Sequence, residues 1–313
     1  MKYILRRFVT LLLTLFLVSV LTFIAFDIIP GDPVELILGT QASPERITAL
    51  RTQLGLNESL PVRYFDWLSG LLKFNAGNSI QYSRPVNSLI SNSFPVTVWL
   101  TLISFSLIVL FSIPLGIFAA KWKNKLIDKI ISTVTMFSVS IPNFFLGVIF
   151  IWLFGIVFKL FSPGRYVDYH ENFLGFLNYL IFPALAIAIP NIGISVKFLR
   201  TSLIGQMNAD YVRTAYSKGN RDIAVLCRHV FRNALAPLMT LFGMIIVEIL
   251  SGSIVIEQVF ALPGIGRLLI SSITFRDLPV IESLAIYIAF IVVFINFAVD
   301  IALQLIDPRI KIK

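Results

Sequence analysis

Histidine and cysteine are nearly missing from this chain. Two histidines, His170 and His229, and one cysteine, Cys227, exclude an internal disulfide and argue against a His/Cys metal cage. Charge is scarce too: 14% of residues are Asp, Glu, Lys or Arg against 57% hydrophobic, a composition outside the range of soluble globular domains. The sequence contains no G-x-x-x-x-G-K-[ST] phosphate loop, no H-E-x-x-H pair and no G-x-S-x-G elbow. A chain without these is not expected to be an enzyme. If it moves something uphill, the energy must enter from elsewhere.

What is abundant is apolar length. A hydrocarbon core of about 30 Å takes about 20 apolar residues per helical crossing. Six stretches qualify, at about 8–29, 98–120, 130–158, 173–196, 234–256 and 283–306, so the fold expected is an all-α integral membrane protein of six transmembrane helices. The first begins like a signal peptide, with Lys2, Arg6 and Arg7, but its charge-free core of 19 residues, Phe8–Phe26, runs into "DIIPGDP" without a small-residue cleavage site. It is read as a retained span. Asp27 and Glu257 stand near span ends, whereas Glu248 and Asp300 lie within spans. A carboxylate at mid-span costs about 2.5–3.5 kcal/mol on insertion scales, so Glu248 either lines a path or binds a cation, or is hydrogen-bonded by a neighbouring helix or a partner subunit.

Six spans put both termini on one side. That side collects 17 of the 26 Lys and Arg residues, among them Lys121, Lys123, Lys125 and Lys129, and seven between Lys197 and Arg232. The bias assigns the termini and the 197–233 loop to the cytoplasm and the 30–95 segment to the outside. In the outer segment, Ser43-Pro44-Glu45 signals a helix start, and an aromatic-rich "RYFDWLSGLLKF" follows. The later stretch "FALPGIGRLLISSITFRDLPVIES" reads as a turn, a short amphipathic helix and another turn that could dip partway into the membrane. Pro114, Pro142, Pro183 and Pro190 lie inside spans, where each removes a backbone bond and kinks or loosens a helix. Freed backbone groups at that depth are tolerated when buried in protein or lining a wet cavity, so four such prolines point toward a pathway.

The cytoplasmic loop is patterned. Tyr211, Val212, Ala215 and Tyr216 share a helical face, Gly219 is placed to end that helix, and Asn220 or Asp222 can cap a second one. In the second, Ile223, Leu226, Val230 and Ala234 form a stripe while Arg228 and Arg232 share another face. Two short helices leading directly into the fifth span have the shape of a docking element. The interleaved apolar stripe argues against nucleic acid as its partner, though the charges alone could serve topology or anionic lipid.

"DYVRTAYSKGNRDIAVLCRHVFRNALAP" resembles the cytoplasmic loop of bacterial ABC importer permeases of the dipeptide, oligopeptide and nickel branch. That loop has a small-residue patch and, after three intervening residues, a glycine; Arg213, Thr214, Ala215 and Gly219 occupy those places. Arg-Thr-Ala stands where the general importer signature has Glu-Ala-Ala, and Arg232-Asn233 where it has Leu-Pro. The resemblance extends through "YILRR", "IIPGDPVELILG", "LGLNESLPVRYFDWL", "SIPNFFLGVIF", "IEQVFALPGIGRLLISSI", "RDLPVIES" and "VDIALQLIDPRI", and departs locally at "FNAGNSI".

It implies the type I importer permease fold in a bacterial inner membrane, a second homologous permease subunit, two cytoplasmic ABC ATPase subunits that hold ATP and Mg, and an extracytoplasmic solute-binding lipoprotein. No cofactor is expected on this chain itself. The expected cargo is a di- or oligopeptide, with nickel or a metal chelate as the alternative and a gradient-driven secondary transporter as a further one. Asp210, Arg213, Thr214, Ala215, Lys218, Gly219, Arg228 and Arg232 are the expected contacts to the ATPase, Ala215 and Gly219 allowing close approach and the cations orienting the dock. Pro142, Asn143, Glu248, Glu257, Pro263, Gly264 and Gly266 are the expected gate or pathway residues.

Overall fold

A computed structural model describes residues 2–28, 34, 43–53 and 57–306. Most of "IIPGDPVELILG", the closing "DPRI" with Arg309, Lys311 and Lys313, and the Asp27 side chain lie outside the described residues. Within them the structure is helical: α1 (Lys2–Ile28), α2 (Pro44–Gln53), α3 (Leu60–Leu72), α4 (Val86–Lys121), α5 (Leu126–Ser140), α6 (Asn143–Phe150), α7 (Phe173–Gln206), α8 (Asp210–Ser217), α9 (Asp222–Val225), α10 (Phe231–Val259), α11 (Ile265–Thr274) and α12 (Leu278–Ile306). Short π-helical stretches, Ile151–Val157 and Leu226–Val230, continue α6 and α9. Five helical segments are long and apolar enough to cross a membrane, and the bent pair α5–α6 makes a sixth if it counts as one span. The chain separates into two compact units, 1–94 with 268–294 and 95–267 with 295–313.

In the first unit, α1 carries exposed Leu12, Leu13, Phe16 and Leu21, side chains suited to lipid contact, and turns Ser19 inward. Amphipathic α3 docks there. The Tyr64 and Ser19 hydroxyls share a hydrogen bond of 2.7 Å, and the Phe23 and Tyr64 rings meet edge to face at 5.4 Å. The "FNAGNSI" turn is held by a buried carboxylate, Asp277, which accepts from the Ser79 hydroxyl and from the backbone N–H groups of Ile80 (3.0 Å) and Gln81 (3.2 Å).

In the second unit, α7 is the central helix, and α5, α6 and α10 pack on it. Lipid and protein interiors are equally apolar, so membrane helices associate by close packing of small residues. Gly193 makes that approach on α7: a Cβ there would come within 2.8 Å of the Thr135 carbonyl oxygen of α5. Gly193→Leu should force the two helices apart at a cost of about 1–3 kcal/mol. Its thermal midpoint in detergent should fall, while Gly205→Leu, where a Cβ meets nothing within 4 Å, should keep the wild-type midpoint.

Helices α4 and α7 run through Pro114, Pro183 and Pro190 without interruption. Only Pro142 breaks its span, bending α5 against α6 by 93°. Ile141, forced out of the α region by the following proline ring, takes φ −97 and ψ 121, and Pro142 itself has ψ 141. Past the bend, α6 runs into its π stretch. There Phe154, and beyond its end Phe161, stack on Phe182 of α7 at 4.8 and 4.9 Å.

Candidate functional site: a helical loop continuous with a membrane-length helix

After α7 the chain turns through Met207–Ala209 and starts α8, where Asp210 puts a negative charge in the first turn. Val212 and Ala215 are buried in the unit's core, and half-buried Tyr211 donates its hydroxyl to Gln206 Oε1 at 3.1 Å. The helix stops as its sequence requires. Gly219 has φ +77, the left-handed conformation that ends a helix, and its N–H reaches the Tyr216 carbonyl at 2.8 Å. Asn220 caps backward rather than forward: its Nδ2 donates to the Ala215 carbonyl at 2.9 Å. The next helix therefore has no side-chain cap at its N-cap residue, Arg221, and Asp222 is its first residue rather than its cap.

From Asp222 the chain is helical without a break to Val259, 38 residues in all. At about 1.5 Å per residue that is a rod of about 57 Å. Val225, Leu226, Val230 and Ala234 face the core, which leaves Arg228 and Arg232 exposed. The π stretch carrying Cys227, Arg228 and His229 widens the helix by one residue per turn without interrupting it.

Ala215 is 5% exposed and packs inward, because the Val212–Ala215 side of α8 is its apolar side. The outward surface includes Arg213, Thr214, Lys218, Gly219, Arg221, Arg228 and Arg232, the acidic Asp210 and Asp222, and two exposed apolar side chains, Tyr216 and Ile223. The Asp210–Arg213 pair at 3.7 Å is fully solvated and contributes little to stability. Cations around an apolar centre make a surface able to receive a protein carrying carboxylates.

At the far end of the same rod, Glu257 is fully buried. Its Oε1 accepts from the Thr97 hydroxyl at 2.7 Å and its Oε2 from the Arg267 N–H at 3.0 Å, while Thr97 accepts the Ile265 N–H at 2.9 Å. The first turn of α11 is thus clamped by one carboxylate and one hydroxyl, which fill donors that a helix N-terminus leaves open. Gly264 is what admits the carboxylate, since a Cβ there would collide with it, and a Cβ on Gly266 would strike the Ile254 backbone. Pro263 is half-buried in this turn. Asn143, just past the bend, lies beside α10, where a Cβ on Gly252 would sit 2.9 Å from its Nδ2. Glu257, Gly264 and Gly266 therefore form one cluster and Asn143 meets α10 elsewhere, while Glu248 stands apart and exposed. Thr97 gives no sign of this role in the sequence, being one threonine among several near a span end.

Two family models cover the chain. Residues 1–101 match the N-terminal model of the membrane components of binding-protein-dependent transport systems, and residues 112–312 match the model "Binding-protein-dependent transport system inner membrane component". The chain belongs to this family. It is a multi-pass inner-membrane permease of an ABC importer, a class that works with a binding protein and an ATPase. A peptide transport system permease protein of Brucella abortus is 38% identical to this permease over 308 residues, 98% of both chains. The glutathione transport system permease protein GsiC of Salmonella choleraesuis is 34% identical over 313 residues, the full length of both. Among solved structures, the MetNI methionine ABC transporter contains a chain that matches with a TM-score of 0.58 at 14% identity, over 70% of this permease and 96% of that chain. That match establishes the type I permease fold.

Proposed function

We propose that this permease forms half of the translocation pathway of an ATP-driven importer of di- and oligopeptides, paired with a second, homologous permease. Two ATPase subunits would bind the ATP and Mg that this chain has no loop to hold, and an extracytoplasmic binding protein would deliver the cargo. Both termini and the α8–α9 loop face the cytoplasm in this reading, following the distribution of Lys and Arg. The full-length likeness to a peptide permease supports the cargo.

The observation that carries the mechanism is the unbroken helix from Asp222 to Val259. Closure of the ATPase pair on the exposed Tyr216, Gly219 and Ile223 surface would move this helix as a lever, since the chain stays helical through the π stretch and Pro237 as far as Val259. ATP binding would turn the spans outward to receive cargo, and hydrolysis would return them inward.

Gly219→Trp tests the lever. A Cβ there meets no atom within 4 Å, and the positive φ opposes any side chain at about 1–2 kcal/mol. The complex should still assemble in the membrane, while ATP hydrolysis stimulated by the loaded binding protein should be lost because the indole blocks the dock. Wild-type stimulation in this variant would refute the lever. For the cargo, import of a labelled peptide into proteoliposomes should need the binding protein and ATP; import by the purified chain without ATPase subunits would mean a gradient-driven carrier.

A further inference from the structure

Helix α10 has an exposed face unlike the exposed faces of the other spans. Thr240, Met244, Glu248, Ser251, Val255 and Gln258 are all exposed, and their spacings of four, four, three, four and three put them within a stripe roughly 80° wide on a helix of 3.6 residues per turn. The stripe contains no Leu, Ile or Phe, although α10 is rich in them; those side chains all point into the protein or are half-buried. The exposed faces of α1 and α4, by contrast, offer Leu13, Leu21, Leu110 and Phe118. These are ordinary lipid-facing side chains.

Two of the polar members are inexpensive anywhere. The Thr240 and Ser251 hydroxyls bond back to the Ala236 and Val247 carbonyls of their own helix. Glu248 has no such recourse. Its carboxylate is exposed, and among the described residues no side chain or backbone group hydrogen-bonds or pairs with it. It lies about one turn from the centre of the 234–256 stretch, a depth at which lipid contact costs about 2.5–3.5 kcal/mol. A face with this composition is suited to water.

We propose that the α10 stripe lines the cargo route and that the Glu248 carboxylate receives the α-ammonium end of a peptide. The assignment rests on the peptide-importer reading above and deepens it. The Glu248 carboxylate, between Met244 and Ser251 on the stripe, offers acceptors to a compact cation with three N–H donors. A divalent metal would need more ligands, and among the described residues no group of three His, Cys, Asp or Glu is gathered. Glu248 belongs to the same rod as Ile223, about 38 Å away at about 1.5 Å per residue, so motion of the loop would re-aim the carboxylate directly.

The test uses the whole complex, with its second permease, ATPase subunits and binding protein, in proteoliposomes with a labelled peptide that the binding protein accepts. Glu248→Gln should lower import about tenfold, the size of one lost charge-assisted hydrogen bond. Glu248→Asp should recover most of the import. In a Cys227→Ser background, Glu248→Cys and Ser251→Cys should react with a charged, water-borne maleimide while Leu110→Cys does not. Wild-type import by Glu248→Gln, or an unreactive Cys at 248, overturns the proposal. So does loss of the second permease from purified Glu248→Gln complex, since the carboxylate would then be an interface residue. A wild-type complex that imports no peptide removes the peptide reading and the ammonium assignment together, and the labelling then separately decides whether the face is wet.

Discussion

Glu257→Ala is expected to destabilise the protein by about 3–5 kcal/mol and to open the 260–267 turn to protease. Two donors lose their acceptor at once, the Thr97 hydroxyl and the Arg267 N–H, and both sit where water does not reach the carboxylate. Leaving one buried donor unpaired costs about 1–3 kcal/mol, and the shortened side chain adds a cavity. The Thr97 hydroxyl would also cease to be oriented toward its other partner, the Ile265 N–H. Glu257→Gln should cost less, because the amide keeps one acceptor, but its NH₂ must then face a donor. Unfolding midpoints in a detergent and chaotrope series, read with cleavage near Arg267, distinguish the two. A wild-type midpoint for the alanine variant would mean that Thr97 and the glycine turn hold α11 without the carboxylate.

The spans were legible because apolar length is a one-dimensional signal that needs no knowledge of neighbours. The loop was legible for a related reason: Leu226, Val230 and Ala234 recur at helical spacing and are buried, although Ile223 and Tyr216, read on the same apolar faces, are exposed, and Gly219 ends α8 with the positive φ that only glycine adopts freely. The direction of each face was harder. Ala215 looks like a small contact residue from its position in the loop, yet Val212 beside it turns that side of α8 into the core. Asn220 and Asp222 are equally good cap residues by type, and only the carbonyl left open at Ala215 decides that Asn220 reaches backward.

Which proline breaks a span was not readable either: Pro183 and Pro190 lie inside an unbroken α7, whereas Pro142 ends α5. The polar hubs were invisible for another reason. Thr97 and Glu257 are 160 residues apart, and Ser79 and Asp277 are 198 apart, so each half of a hub is an isolated polar residue until the fold joins them.

The Asp128–Arg200 pair, 72 residues apart in sequence, is such a hub, and its loss should be felt in the α8–α9 loop. The guanidinium grips the carboxylate with two bonds, Nε to Oδ1 at 2.6 Å and the second nitrogen to Oδ2 at 2.7 Å. Asp128 also accepts the Asn124 N–H at 2.7 Å and the Ser132 hydroxyl at 3.3 Å, so one carboxylate closes the turn before α5 and ties α5 to α7. Asp128 is 4% exposed at its side chain and Arg200 26%, so the pair lies between a surface bridge, worth under about 1 kcal/mol, and a buried one, whose breakage costs about 3–5 kcal/mol.

Asp128→Ala should therefore cost about 2–3 kcal/mol, chiefly by stranding the guanidinium. Arg200→Ala should cost less, because its partner keeps two other donors, and the double variant should cost less than the sum, leaving a coupling of about 1–2 kcal/mol. Arg200→Lys should recover little, since a point charge cannot reproduce the two-bond geometry. Arg200 stands in the last turns of α7, which leads straight into α8, so the singles should also lower binding-protein-stimulated ATP hydrolysis before they unfold. Additive costs in the cycle would reduce the pair to two independent contacts. Full stimulation in Asp128→Ala would show that the loop is positioned by the rod from Asp222 alone.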